Sequence, residues 1–273
     1  MNLERLRPAL VIAERELWTV LRTRAYLLLA MAFFVVTVGL ATLTDGPTRG
    51  YVPTELDLLV PMELLVPIVA IALGYRAILG DATRGELEML RTYPLTADQH
   101  VIGSFVGRAI VLTLIITVSL AVVGILVAVT PPDVVRIFAT HETADSPLLF
   151  VRFVALTVLL GLVFLAIGLA ISAIARSSRT AIAIIAAFLV LVILGFEVLL
   201  ARGLAGGWIA DELLTSLLAL APNTAYRGLV LEMAVGIESP VGIRAAAPIW
   251  SILGMFAWLA ISLVIARFAI YRR

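Results

Sequence analysis

Six apolar runs, each long enough to cross a bilayer, constrain what this 273-residue chain can fold into. They fall at about Ala25 to Leu43, Asp57 to Leu79, Phe105 to Thr130, Leu148 to Ala175, Ala181 to Leu204 and Pro248 to Ile270. The first, 19 residues long, rises about 28 Å as a helix, close to a hydrocarbon thickness of about 30 Å. With 62% hydrophobic and only 14% charged residues, the chain cannot coat a water-soluble globule with polar surface. In hydrocarbon, backbone N–H and C=O groups must be satisfied within the segment, so the runs are predicted to be helices. The sequence therefore predicts an all-α integral membrane protein. Pro61 and Pro67 predict a kink or a late start in the second span.

The polar stretches between the runs carry the remaining information. Residues 1–24 are too polar to span, yet Leu10, Ala13, Leu17, Val20 and Leu21 recur at helical spacing after Pro8. This predicts an amphipathic interfacial helix, with Trp18 at its flank and Arg15, Arg22 and Arg24 available to lipid headgroups. The chain thus divides into an interfacial helix, 1–24, and a six-span domain, 25–273. Residues 73–107 form a polar interruption with three arginines, four acids and Gly and Pro at its turns, so they are predicted to leave the membrane as a compact helical hairpin. Fourteen of the twenty arginines fall on the side of the termini and this hairpin and six on the other, which places both ends and residues 76–104 in the cytoplasm and 205–247 outside. The 205–247 stretch is unusually apolar. Asp211 to Leu220 and Asn223 to Val235 are each too short to cross, and are expected to form a re-entrant or interfacial helical pair split by Pro222; a plain surface loop is the alternative reading.

Several chemistries are excluded. The chain has no cysteine, so disulfides, thiolate metal sites and thiol nucleophiles are absent. All twenty basic residues are arginine, which removes the phosphate-loop lysine and lysine bases. If ATP drives this protein, ATP and Mg²⁺ bind on another chain. His141-Glu142 lacks the second histidine of a zinc motif and His100 is on the opposite side of the membrane, so neither a metal site nor catalysis is expected. Charges within spans are functional hypotheses by default. Glu63, Arg152 and Arg267 are close enough to span ends to snorkel, whereas Glu197 is deeper than Arg202 and is a candidate for the transport pathway.

The residues Gly74-Tyr75, Gly80-Asp81, Arg84-Gly85, Leu87-Glu88, Leu90, Tyr93-Pro94 and Gly103 follow the order of the pattern GYDxxxGExExGTLxxLLxxPxxRxxxxxGK. This resembles the cytoplasmic hairpin of type-2 ABC transporter permeases. The leader residues Ile12, Ala13, Glu16, Leu17, Leu21, Arg22 and Arg24 are similar to that family's IAxxELxxxLRxR opening. Within the family, the hairpin and APNTAYRGLVL, residues 221–231, look most like permeases of the nitrous oxide reductase maturation type. The chain departs from the pattern at Asp81 (usually Glu), Glu86 (Thr), Ala97 (often Arg) and Ser104 (Lys).

The resemblance implies an elbow helix, six spans, a coupling hairpin between spans 2 and 3, and two short outer helices before the last span. It also implies a membrane-spanning exporter subunit with a second copy of itself and separate ATPase subunits. The coupling residues would be Gly80, Asp81, Arg84, Gly85, Glu86, Leu87, Glu88, Leu90, Tyr93 and Pro94, with Glu16, Arg22 and Arg24 in the elbow. A rigid exposed helix delimited by Gly80 or Gly85 and Pro94 suits force transfer from a partner. The bland alternative is a solvated loop. A stand-alone secondary transporter or a membrane scaffold is the rival reading, but internal repeats and mid-membrane broken spans are not evident.

Overall fold

The structure is a computed structural model that describes residues 3–85, 96–131, 145–208, 216–235 and 248–271. In chain order the helices are α1 (Leu3–Arg22), α2 (Arg24–Leu43), α3 (Gly46–Arg49), α4 (Tyr51–Gly74), α5 (Ala77–Thr83), α6 (Ala97–Val129) and α7 (Pro147–Ile174). Next, α8 (Ser178–Val190) runs through a π-helical turn (Leu191–Gly195) into α9 (Phe196–Ala205), followed by α10 (Pro222–Met233) and α11 (Pro248–Tyr271). Among the described residues there is no strand. Six segments are long and apolar enough to cross a membrane: Arg24–Leu43, Tyr51–Thr83, Ala97–Val129, Pro147–Ile174, Ser178–Ala205 and Pro248–Ile270. The protein is an all-α, multi-pass membrane protein.

The helices that carry the second and third apolar runs begin ahead of those runs, for local reasons. Tyr51 rather than Asp57 opens α4, because Asp145 Oδ1, just ahead of α7, accepts the Val52 N–H at 2.9 Å. A carboxylate there satisfies a first-turn donor and favours the helix dipole. Helix α6 opens at Ala97 on a capping box, in which Thr96 Oγ1 accepts from the Gln99 N–H and Gln99 Oε1 accepts from the Thr96 N–H.

Helices α4 and α7 form the centre. Gly74 and Gly168 let their backbones touch: a Cβ on Gly74 would stand 3.1 Å from the Gly168 Cα. Leu58, Met62, Val66, Leu112, Ile116, Leu120, Phe153, Leu160 and Phe164 fill the surrounding core. The fifth span lies at the margin. Along α8, the π turn and α9, only Ala181, Val192, Leu200 and Gly203 are buried.

Helix α1 packs along the first turns of α6. Ala9, Ile12, Ala13, Glu16 and Val20 form its buried stripe, whereas Leu10 and Trp18 are 63% and 49% exposed. The face that turns inward is therefore not simply the most apolar one. It is the one whose small residues fit the groove made by Gly103 and Gly107 on α6, where a Cβ on Gly103 would lie 2.6 Å from the Ala9 carbonyl oxygen and one on Gly107 2.8 Å from Glu16 Cβ. Small residues let helix backbones approach closely enough for dispersion contacts to accumulate. Trp18 stays outside with the Arg22 guanidinium 5.5 Å from its ring centroid, and Arg24 is exposed at the start of α2.

Gly107→Leu cannot be accommodated without moving α1, and overpacking of this kind costs about 1–3 kcal/mol or more. The expected outcome is faster hydrogen exchange at the amides of residues 9–16 with exchange in α7 unchanged. Unchanged protection of α1 would show that this contact does not hold the helix.

Candidate functional site

The α1 end of the bundle carries a buried charge cluster built from four elements. Helix α4 stops at Gly74, which leaves its last carbonyls without intrahelical donors. Arg108 of α6 supplies one, donating through Nη1 to the Leu73 carbonyl. The same guanidinium donates from Nε to Glu16 Oε2 of α1 at 2.8 Å, with Nη2 2.6 Å from that oxygen. Arg108 is 4% and Glu16 2% exposed, so each neutralises a charge that burial alone would make costly.

Beyond the break, α5 starts afresh. Its first N–H groups, on Ile78 and Leu79, both donate to Ser172 Oγ of α7, at 3.0 and 2.9 Å. The helix then ends at Gly85, whose φ of +74° is the left-handed conformation that terminates helices. Asp81 projects from α5 into the cluster. Its Oδ2 accepts from Arg15 Nη2 of α1 at 2.8 Å and its Oδ1 from Arg84 Nη2 at 2.9 Å, while His100 Nε2 of α6 lies 3.7 Å from Oδ2. Arg15 also bonds Glu16 Oε1 at 2.9 Å. Burial would lower the Arg15 pKa, but the hydrogen bond and charge of Asp81, with help from Glu16, outweigh it and raise the group above its ordinary value. Glu16 and Asp81 thus lie on either side of one guanidinium that ties α1 to α5.

The expected coupling residues divide cleanly. Gly80 and Asp81 are buried in this cluster, while Arg84 and Gly85 are at its exposed edge. Glu86, Leu87, Glu88, Leu90, Tyr93 and Pro94 lie outside the described residues. In the elbow, Glu16 is a cluster member, but Arg22 and Arg24 remain on the surface. Sequence reasoning missed Arg15, His100, Arg108 and Ser172 as partners. The one available signal was Gly103 and Gly107 at four-residue spacing, which marks a close helix contact and puts the next residue, Arg108, beside it.

The opposite end has its own cluster around α10. Leu220, just before α10, accepts from Trp258 Nε1 at 2.8 Å. Trp258 is ten residues past Pro248, about 15 Å along α11 by helix rise. At its other end, the Met233 carbonyl accepts from Arg152 Nη1 at 3.1 Å, near the start of α7. Helix α10 thus runs from alongside the middle of α11 to near the start of α7, with Asn223, Thr224, Ala225, Tyr226, Leu229 and Val230 buried. Tyr226 pairs with Thr157 of α7 at 2.9 Å. Of the first expected outer helix, 211–215 lie outside the described residues and 216–218 are helical.

Glu63 does not snorkel. It lies in the middle of α4, 5% exposed, and its carboxylate is held by Arg227 of α10 through Nε at 2.7 Å and through Nη2. Arg227 Nη1 also faces Glu197 Oε1 of α9 at 3.1 Å. Pro67 has no N–H to give to the Glu63 carbonyl four residues earlier. Asn223 Nδ2 fills that vacancy at 3.1 Å. Arg267 pairs with Asp98 at 2.8 Å.

Glu16→Gln removes the countercharge of a buried guanidinium, a change that costs about 3–5 kcal/mol, whereas Arg267→Ala breaks a half-exposed pair worth about 0–1 kcal/mol. Thermal unfolding in detergent should show a marked drop for the first variant and almost none for the second. Equal drops would mean the cluster is no stronger than a surface ion pair.

Comparison with known proteins places this architecture. The model of the ABC-2 family transporter protein matches residues 10–273. A protein from Stutzerimonas stutzeri named "Probable ABC transporter permease protein NosY" is 31% identical over 277 residues, covering 96% of this chain and 97% of its own length. A protein of the same name from Pseudomonas aeruginosa is 30% identical over 267 residues, covering 92% and 94%. With a family match across nearly its whole length, the chain belongs to the ABC-2 transporter family and is a membrane permease of the ABC transporter type.

Proposed function

We propose that this permease is an exporter subunit driven by separate ATPase chains through the 76–104 hairpin. The observation that carries the reading is the charge cluster: Asp81 joins the first helix of the hairpin to the leader through Arg15, and Arg108 joins the leader to the end of span 2. A push on the hairpin would therefore reach α1, α4 and α6 together. Gly80, Asp81, Arg84 and Gly85 position the hairpin, and Glu86, Leu87, Glu88, Leu90, Tyr93 and Pro94 form the part that meets the ATPase. ATP and Mg²⁺ bind on that partner, and this chain is not an enzyme.

The elbow helix, 1–24, lies at the cytoplasmic interface of the plasma membrane, with both termini inside and 205–247 outside. Exposed Leu10, Val11 and Trp18 supply the lipid-facing surface, and Arg22 and Arg24 reach headgroups. A second copy completes the pathway. The nearly uncovered fifth span supports this, because Glu197 on it, with 43% of its side chain exposed, would be a costly neighbour for hydrocarbon. Glu197 then faces the pathway between the copies.

Two measurements test this. Copurification with the ATPase should survive in the wild type, and Leu87→Asp with Leu90→Asp should abolish ATP-driven transport while the permease still inserts, since burying an unpaired carboxylate costs several kcal/mol. Normal assembly and transport in that double variant would remove the coupling role. In this cysteine-free chain, single cysteines at Thr83 and Ser239 should label from opposite sides of the membrane, and labelling from one side would overturn the topology.

A further inference from the structure

Arg227 holds two carboxylates with one charge, and the two are held unequally. Glu63 takes two guanidinium nitrogens inside the bundle, where its side chain is 7% exposed. Glu197 takes one, and its side chain is 43% exposed. Coulomb attraction is strong in the dry site and screened in the open one, so breaking the first contact strands a buried charge and breaking the second does not. Asn223, one turn before Arg227, adds a second tie to α4 at the carbonyl that Pro67 leaves free. Two ties thus bind α10 to α4, and a single polar contact reaches α9.

The π turn points the same way. A π turn inserts one residue into the helical register, and each residue turns a helix by about 100°. Glu197 is the second residue after the turn at Leu191–Gly195, so its direction toward Arg227 depends on that turn being present. Such a turn is a place where a span can change register without breaking.

We propose that Arg227 is the clasp of the gate at the α10 end: it stays on Glu63, α10 travels with span 2, and the pathway opens by parting Arg227 from Glu197 on span 5. This rests on the pathway role proposed for Glu197 and names the positioning residues of that gate: Arg227, Glu63 and Asn223.

The test uses spin-label distances in the full chain in nanodiscs, with no ATPase present, so a failure of ATPase coupling leaves it untouched. One pair, Ala201→Cys with Glu232→Cys, reads α9 against α10; the other, Val60→Cys with Glu232→Cys, reads α4 against α10. Glu197→Gln should lengthen and broaden the first distance and leave the second unchanged. Arg227→Lys should do the same, because a point ammonium keeps the charge but cannot bridge two carboxylates as the guanidinium fork does. Combining the two substitutions should add nothing, as expected for members of one contact. An unchanged α9 to α10 distance in both single variants would overturn the proposal. So would an equal change in the α4 to α10 distance, or additive effects in the double variant.

Discussion

The Arg108 guanidinium is the interaction on which the rest of the α1 end depends. A span that stops within a packed bundle leaves carbonyls that water cannot reach, and a leader that buries an acid needs a cation. Arg108 meets both needs, at Leu73 and Glu16. The break after Gly74 can then exist, and α5 starts afresh with its first N–H groups received by Ser172. Asp81 of α5 then meets Arg15 of α1. The close approach of α1 to α6 at Gly103 and Gly107 sets the reach that all these contacts require.

At the other end the same rule is met by a different device. Pro67 removes a donor in the middle of α4, and the Asn223 amide of α10 supplies one in its place. Because α10 already carries Arg227 one turn beyond Asn223, the freed carbonyl and the buried Glu63 carboxylate are both satisfied from one helix. Helix α4 is thus addressed at two places: by Arg108 at Leu73, where it stops, and by α10 at Glu63, in mid-helix. Through α4, the contacts at Leu73 and at Glu63 are joined by one continuous helix.

Much of the architecture was legible because hydropathy and helix rise impose it. The six apolar helices follow from local chemistry that a sequence displays, whereas the helix expected between Gly80 or Gly85 and Pro94 lies largely outside the described residues, and the helix seen there, α5, precedes Gly85. Helix starts were less legible: Asp145 is remote in sequence from the Val52 N–H that it receives, so hydropathy alone does not show that α4 begins at Tyr51. Side-chain partnerships were least legible. Arg108 and Arg227 were visible only as arginines on one or other side, and Glu63 as an acid near a span end, because pairing across 92 or 164 positions depends on tertiary packing. One clue was available, since an acid four residues before a proline has a carbonyl in need of a donor. The motif residues in 86–95 and His141-Glu142 lie outside the described residues.

The central claim is that α1, α5 and the first turns of α6 form one unit that an ATPase moves. Its most direct test is the structure of the permease bound to its ATPase, determined with and without nucleotide. The account predicts that the two states superpose over α1, α5 and residues 97–108, with the Glu16–Arg108 and Arg15–Asp81 pairs intact in both and the unit displaced against α7. Separation of α1 from α5, or loss of either ion pair when nucleotide binds, would contradict it.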